Sequence, residues 1–214
     1  MTAGRWHPGD PVAPLQALLA RGGLLAVPTE SSYGLAADPR NPAGVAAVYR
    51  VKRREAGKPL PVVVAHPGQL ADLGIDSGLP ILRPLVESCW PGPLTVLLPI
   101  AQEPTLPAAA GGGTLAVRIP GNLVLRQLLA SLGHGLTATS ANWSGGEPVL
   151  DPGGAAALLA GEDAVVVDGG VLPGGLPSTV VAIETSGPVV LRAGSFPVER
   201  LRACLTRQSM ENEV

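Results

Sequence analysis

The sequence predicts an α/β fold: an open, twisted, mixed sheet flanked by helices. Short apolar runs typical of buried strands alternate with amphipathic stretches typical of helices along most of the 214 residues. Several links between successive apolar runs are too short for a crossover helix, so some neighbouring strands must be antiparallel. We predict a single domain over residues 1–207, followed by a polar tail over residues 208–214.

Helices and strands alternate from the N-terminus onward. Leucines at helical spacing between residues 15 and 19 predict a first helix, and a glycine pair ends it before a strand at residues 24–27. Asn41 and Pro42 are typical of a helix start, because the first can cap the helix and the second suits its first turn. This second helix is predicted to end near Lys52.

The rest of the chain continues the alternation. Further strands are predicted at residues 61–65, 94–98, 115–119, 135–139, 164–168, 179–183 and 189–192. Further helices are predicted at residues 81–89, 122–132, 154–160 and 198–206. The 28 glycines and 23 prolines indicate a folded protein rich in loops, because apolar runs interrupt them at regular intervals.

The sequence excludes several classes of function. It lacks the nucleotide motifs G-x-x-x-x-G-K-[ST] and G-x-G-x-x-G, the zinc motif H-E-x-x-H and the hydrolase motif G-x-S-x-G. The three histidines are scattered, and Cys89 and Cys204 are isolated, as in a reduced cytoplasmic protein. No apolar run is long enough to span a bilayer, so we predict a cytoplasmic location and no membrane partner.

The most informative segment is a cluster of cations between the second helix and the strand that follows it. Lys52, Arg53, Arg54 and Lys58 place four cations within seven residues, although the net charge of the chain is −2. The chain has no other lysine. Cations gathered in this way are typical of a site for phosphate or carboxylate groups, since a surface that needed only solubility would spread them.

Other short motifs surround this cluster in a fixed order. They are Val27-Pro-Thr-Glu-Ser31-Ser-Tyr-Gly-Leu35, Trp90-Pro-Gly-Pro-Leu-Thr95, Thr114-Leu-Ala-Val-Arg118, Thr139-Ser-Ala-Asn142, Ser178-Thr179 and Leu191-Arg192. In this order, over about residues 24–194, the chain resembles the YrdC-like family of threonylcarbamoyl-adenylate synthases. The resemblance implies a YrdC-like domain that makes threonylcarbamoyl-AMP and pyrophosphate from L-threonine, bicarbonate and ATP. In that family the product is the intermediate for threonylcarbamoyladenosine (t6A) in tRNA.

The resemblance implies a nucleotide site built from cations and hydroxyls. Lys52, Arg54 and Lys58 would form the catalytic group, with Arg54 and Lys58 on the ATP phosphates. Other nucleotide contacts would come from Thr114, Ser140, Asn142 and Arg192. Mg²⁺ would accompany ATP, and no residue is predicted as a metal ligand. Glu55 stands where proline is common in the family, and it places a negative charge beside the phosphate site.

The resemblance also implies a threonine site. Arg118 would pair with the threonine carboxylate, and Ser31 and Ser178 would form hydrogen bonds with threonine. Glu30 is interpreted as structural, because an unpaired carboxylate would repel a polyphosphate. The cations at the ends of the predicted elements should line a concave basic groove, with at least four of their five tips converging: Lys52, Arg54, Lys58, Arg118 and Arg192.

Two alternatives remain open from the sequence. The first is a non-catalytic module that binds structured RNA such as tRNA, although aromatic residues make up only 3% of the chain and no long basic stripe is present. The second is a carbamoyl-transfer domain of a larger hydrogenase-maturation protein. If the chain is a synthase, we expect its product to pass to a tRNA threonylcarbamoyl transferase. A weak direct contact with tRNA is a further open prediction.

Overall fold

The fold confirms the mixed α/β architecture and divides its strands between two sheets. The computed structural model describes residues 3–55, 57–101, 106–109 and 112–211. Within them the strands are Gly4–Trp6 (β1), Leu24–Pro28 (β2), Tyr33–Ala36 (β3), Val62–Val63 (β4), Leu94–Pro99 (β5), Thr114–Arg118 (β6), Leu136–Thr137 (β7), Thr139–Ser140 (β8), Ala164–Val167 (β9), Thr179–Glu184 (β10) and Gly187–Arg192 (β11). One sheet has the order β1-β9-β2-β3-β8, and the other has the order β11-β10-β5-β6-β4-β7. Each sheet contains parallel and antiparallel pairs.

Between β7 and β8 a single residue carries the chain from one sheet to the other. The strand predicted at residues 135–139 is divided at Ala138 into β7 and β8. β7 pairs with β4 in the six-stranded sheet, whereas β8 pairs with β3 in the five-stranded sheet. The Thr137 hydroxyl oxygen also accepts a hydrogen bond from the Ala37 N–H at 2.9 Å, which ties β7 to the end of β3. The polar residues of β8 are thereby placed where the two sheets meet.

Two of the helices begin at asparagine caps. Within the described residues they are Ala13–Ala20 (α1), Pro42–Lys52 (α2), Leu82–Ser88 (α3), Leu123–Leu132 (α4), Pro152–Leu158 (α5) and Val198–Glu211 (α6). Asn41 caps α2 by accepting hydrogen bonds from two backbone N–H groups, and Asn122 caps α4 by accepting one. Because α6 continues to Glu211, residues 208–211 of the predicted tail are helical, and residues 212–214 lie outside the described residues.

The apolar core holds the strand ends that carry the polar motifs. One buried cluster, which includes Leu19 and Leu25, forms where α1 and α4 pack on β2. A larger cluster joins residues of both sheets, among them Leu35 of β3, Val62 of β4 and Val96 of β5. Close packing of this cluster fixes the sheets relative to each other, so the ends of β3, β6, β8 and β10 surround a common space.

Candidate active site

A cavity of about 290 Å³ lies between the two sheets. Residues of β3 and β8 line it from one sheet, and residues of β4, β5, β6 and β10 line it from the other. Its polar lining includes Ser31, Arg54, Arg118, Ser140, Ser178 and Arg192. Among the described residues that form its wall there is no carboxylate. Three guanidinium groups facing one cavity favour anionic ligands.

Arg118, at the end of β6, is largely buried, with its side chain 12% exposed, and it is held from two sides. Its Nε donates a hydrogen bond to the carbonyl oxygen of Gly92 at 3.1 Å, and its Nη2 forms an ion pair with Glu30. Burial and the charge of Arg192 lower the pKa of Arg118 to about 10, which leaves the guanidinium protonated at neutral pH. In the described part of the chain no hydrogen bond involves Nη1, so that nitrogen can donate to a carboxylate.

Glu30 is fixed by its neighbours, which supports its interpretation as a structural residue. One carboxylate oxygen pairs with Arg118, and the other accepts a hydrogen bond from the backbone N–H of Gly121. Asn122, the cap of α4, donates a side-chain hydrogen bond to the carbonyl oxygen of Thr29 at 3.1 Å. These contacts tie the Pro-Thr-Glu segment to the start of α4 and hold Ser31 beside the cavity.

A second arginine, Arg192, lies across the cavity beside two hydroxyls; its side chain is partly exposed, and its guanidinium is held by protein groups. Nε and Nη2 of Arg192 donate to the carbonyl oxygen of Ser178 at 3.2 and 2.9 Å, and Nη2 also donates to Ser178 Oγ at 3.0 Å. Ser178 Oγ lies 2.9 Å from Oγ1 of Thr95. Burial lowers the pKa of Arg192 below its ordinary value. This part of the site therefore combines a cation with a pair of hydrogen-bonded hydroxyls.

Lys52 lies behind the cavity wall, where it supports the Ser-Ala-Asn turn. It is 4% exposed, and its Nζ donates to the carbonyl oxygen of Ser140, to Oδ1 of Asn142 at 2.6 Å and to the carbonyl oxygen of Asn142 at 3.3 Å. Ser140 Oγ donates to the same Oδ1 at 2.8 Å. Burial and the charge of Arg54 lower the pKa of Lys52 to about 8. The ammonium protons are directed at the turn, so Lys52 holds Ser140 in position.

The remaining cations of the basic segment point in different directions. Arg53 adopts a left-handed φ of 49° at the end of α2, and the chain turns there. Arg54 lines the cavity, and its buried Nε has no hydrogen-bond partner among the described residues. Lys58 is exposed, and its Nζ lies 3.0 Å from Oε2 of Glu55. Because these side chains diverge after the turn, the basic segment does not present all its charges to one point.

The structure brings six of the ten predicted site residues to the cavity wall. They are Ser31, Arg54, Arg118, Ser140, Ser178 and Arg192. The other four are Lys52 and Asn142, which form the turn behind Ser140, and Lys58 and Thr114, which are exposed. Thr114 begins β6 and lies about 13 Å from Arg118, at about 3.3 Å per strand residue. Three of the five predicted cations line the cavity, whereas at least four were expected to converge.

Sequence reasoning missed Thr95 as a cavity residue. Thr95 closes the Trp-Pro-Gly-Pro-Leu-Thr motif and lines the cavity from β5. The alternation of a strand places its neighbours Leu94 and Val96 on the opposite face. A threonine between two apolar neighbours in a strand could have indicated from the sequence that Thr95 faces a polar site.

Comparison with known proteins assigns the family. The family Sua5_yciO_yrdC, described as Telomere recombination, matches residues 17–194. The chain belongs to the Sua5/YciO/YrdC family. The Threonylcarbamoyl-AMP synthase of Bacillus subtilis is 35% identical to this chain over 198 residues. The match covers 92% of this chain and 57% of the Bacillus protein. The Threonylcarbamoyl-AMP synthase of Thiobacillus denitrificans is 35% identical over 179 residues, which cover 84% of this chain and 93% of that protein.

Solved structures of the Sua5/YciO/YrdC family share this fold. The crystal structure of Pyrococcus abyssi Sua5 complexed with L-threonine has a TM-score of 0.82 and 28% identity, over 95% of this chain and 61% of that chain. The chain therefore spans less than two thirds of the Bacillus and Pyrococcus relatives and almost the whole Thiobacillus relative. In the described part of the chain no helix is both long and apolar enough to cross a bilayer.

Proposed function

We propose that this chain is a threonylcarbamoyl-AMP synthase, a nucleotidyltransferase that joins L-threonine, bicarbonate and ATP. The observation that carries the proposal is the cavity in which Arg54, Arg118 and Arg192 meet the hydroxyls of Ser31 and Ser178. These residues come from five separate segments of the chain, and the fold brings them together at a buried site. Relatives that carry the name Threonylcarbamoyl-AMP synthase support the same conclusion.

The reaction needs charge neutralisation more than covalent help from the protein. The amino nitrogen of threonine condenses with bicarbonate, and water leaves, to form a carbamate. An oxygen of that carbamate attacks the α-phosphorus of ATP, and the bond to pyrophosphate breaks. Both reactants are anions, and negative charge accumulates on the phosphate oxygens in the transition state. Fixed guanidinium groups and hydroxyls can bring these anions together and stabilise the charge that develops.

Threonine binds at the Arg118 end of the cavity. Arg118 holds the carboxylate through its unused Nη1, because Nε and Nη2 are engaged by Gly92 and Glu30. Ser31 and Ser178 form hydrogen bonds with the polar groups of the amino acid. The Pyrococcus relative was crystallised as a complex with L-threonine, which supports the choice of amino acid.

The nucleotide binds toward the basic segment. Arg54, whose Nε is buried without a partner among the described residues, contacts the phosphates together with Lys58. Other contacts to the nucleotide come from Thr114, Ser140 and Arg192. Asn142 and Lys52 hold the Ser-Ala-Asn turn so that Ser140 faces the nucleotide.

Mg²⁺ is assigned to the phosphates of ATP rather than to the protein. The described residues contain no group of three side chains that are common metal ligands, and the cavity wall there carries no carboxylate. Within the part of the chain that the structure describes, no protein site for the ion is formed, so the phosphates of ATP would hold it.

The proposed product also defines the partner. Threonylcarbamoyl-AMP is a mixed anhydride that would pass to a tRNA threonylcarbamoyl transferase for t6A synthesis, which places the reaction in the cytoplasm. We expect any contact between this chain and tRNA to be weak, because Arg118 and Arg192 are engaged by protein groups.

The test is pyrophosphate release from ATP in the presence of bicarbonate, Mg²⁺ and threonine, with each component omitted in turn. We expect release that requires both threonine and bicarbonate, together with an adduct of the mass of threonylcarbamoyl-AMP. Pyrophosphate release that ignores threonine, or that needs carbamoyl phosphate in place of bicarbonate, would contradict the proposal. An RNA-binding module without catalysis would release none.

A further inference from the structure

Thr95 is a buried hydroxyl at the cavity wall that the proposed reaction has not used. It lies on β5, is 3% exposed and faces the cavity. Its Oγ1 lies 2.9 Å from Ser178 Oγ. In the described part of the chain this is the only hydrogen bond of the Thr95 side chain. Any effect of Thr95 on a ligand therefore passes through Ser178 or through the cavity directly.

The hydrogen-bond inventory of Ser178 limits what its hydroxyl can do. A serine hydroxyl has one proton to donate and two lone pairs that accept. Arg192 has no acceptor, so its Nη2 donates to Ser178 Oγ and occupies one lone pair. If Thr95 donates as well, both lone pairs are occupied. The Ser178 proton must then point to an acceptor in the cavity.

The opposite direction of the Thr95–Ser178 bond is less favourable when threonine is bound. If Ser178 donated to Thr95, the Ser178 oxygen would turn a lone pair toward the oxygens of the amino acid. The Thr95 proton would also lack an acceptor among the described protein groups, although Thr95 is buried. When Thr95 and Arg192 both donate hydrogen bonds to Ser178, the Ser178 hydroxyl becomes a stronger donor, because successive hydrogen bonds polarise one another.

We propose that Thr95 is a positioning residue for the amino-acid site: its hydroxyl holds Ser178 as a hydrogen-bond donor to an oxygen of bound threonine. This inference rests on the proposed function, since it takes threonine as the ligand. It assigns Thr95 no direct contact with the reacting atoms. The effect of Thr95 should therefore depend on the presence of the Ser178 hydroxyl.

The first experiment compares Thr95→Val, which removes the hydroxyl at nearly constant shape, with Thr95→Ser, which keeps it. We expect Thr95→Val to raise KM for threonine about 5–20-fold, the value of one hydrogen bond, and to change KM for ATP less than about twofold. Thr95→Ser should restore KM for threonine to within about threefold of the wild type. Gln69→Leu is the control, because it removes another buried polar side chain that does not line the cavity.

The second experiment tests whether Thr95 acts through Ser178. The double variant Thr95→Val with Ser178→Ala should have the same KM for threonine as Ser178→Ala alone, because the group that Thr95 positions is already absent. Additive effects of the two substitutions would overturn the proposal. Equal increases of both KM values in Thr95→Val, or an equal effect in the Gln69→Leu control, would indicate a purely structural role and would overturn it as well.

Measurements on the wild-type protein distinguish failure of the proposed function from failure of the Thr95 proposal. A wild-type protein that releases no pyrophosphate contradicts the synthase activity, and calorimetric titration with L-threonine then decides on Thr95. Threonine binding that Thr95→Val weakens and Thr95→Ser restores supports the positioning role. Absent binding, or binding that Thr95→Val leaves unchanged, overturns it.

Discussion

The predicted site has an arginine end, inside the cavity, and a lysine end, outside its wall, and the two are organised in different ways. At the arginine end, Arg118 is largely buried and Arg192 is more exposed, and both are fixed by Glu30, Gly92 and Ser178. At the lysine end, Lys58 is exposed and pairs with Glu55 across a surface salt bridge at 3.0 Å. The arginine end is preorganised without a ligand, whereas Lys58 has to leave a carboxylate to reach a phosphate.

The difference assigns separate tasks to the two ends. Cations that the protein already holds in place give recognition, because little entropy is lost when a carboxylate docks against them. An exposed lysine on a flexible stem gives little binding by itself and acts as a point charge once a triphosphate is present. We therefore expect Arg118, with Ser31 and Ser178, to hold the amino acid. Arg192 is expected to contact the nucleotide, and Lys58 to serve the transfer step.

The largest expected effect concerns selection of the amino acid. Valine lacks the hydroxyl that Ser31 and Ser178 would bind, so kcat/KM should fall by about 10⁴-fold relative to threonine. Serine lacks only a methyl group, and kcat/KM should fall by about 10–200-fold. The measurement is pyrophosphate release with the three amino acids. Equal turnover of valine and threonine would show that the arginine end contains no hydroxyl-selective pocket.

Arg118→Ala should give the next largest effect. The substitution removes the carboxylate contact and leaves Glu30 without its cation, so kcat/KM for threonine should fall about 10³-fold, or about 4 kcal/mol. The control is Arg21→Ala, because Arg21 is an exposed arginine that pairs with Asp163 away from the cavity. A folded Arg118→Ala protein with unchanged KM for threonine would remove Arg118 from the site.

Lys58→Ala tests the lysine end. It should cost about 2–4 kcal/mol of transition-state stabilisation, on the scale of one charge-assisted contact to the phosphates. Thermal stability should barely change, because an exposed cation contributes little to folding. Arg50→Ala, an exposed arginine of α2 that pairs with Glu162, is the matched control. A wild-type rate in Lys58→Ala would leave the lysine end without a catalytic role.

Glu55→Gln should have the smallest effect. Because Glu55 pairs with Lys58, removing its charge should free Lys58 for ATP and lower KM for ATP about two- to threefold. KM for threonine should stay unchanged, since Glu55 does not line the cavity. An increase in KM for ATP would mean that Glu55 orients Lys58 rather than competing for it.

The sequence predicted the elements better than the way they meet. Periodicity and caps placed most helices and strands, but β3 was missed, because the stretch Tyr33–Ala36 is short and contains a glycine. The single predicted sheet became two, and within the strand predicted at residues 135–139 the chain passes from one sheet to the other at Ala138. Hydrophobic alternation indicates which face of a strand is buried, but it does not indicate which strand pairs with it.

The same distinction holds for the candidate site: motif order identified its residues but not the direction of every side chain. Motif order identified Arg118, Arg192 and Ser178, which lie at strand ends that packing fixes around the cavity. It grouped Lys52 with Lys58, although Lys52 is buried against the Ser-Ala-Asn turn and Lys58 faces solvent. Closeness in sequence indicates a shared segment, whereas the direction of each side chain depends on the left-handed turn at residue 53.

The separate roles of the arginine end and the lysine end are tested most directly by calorimetric titration of L-threonine into the protein, without ATP or bicarbonate. We predict that threonine binds to the wild type, that Lys58→Ala and Glu55→Gln bind it with a Kd within about twofold, as expected for distant sites, and that Arg118→Ala does not bind it. Threonine that binds only after ATP is added would contradict the account. A loss of threonine affinity in Lys58→Ala as large as that in Arg118→Ala would contradict it as well.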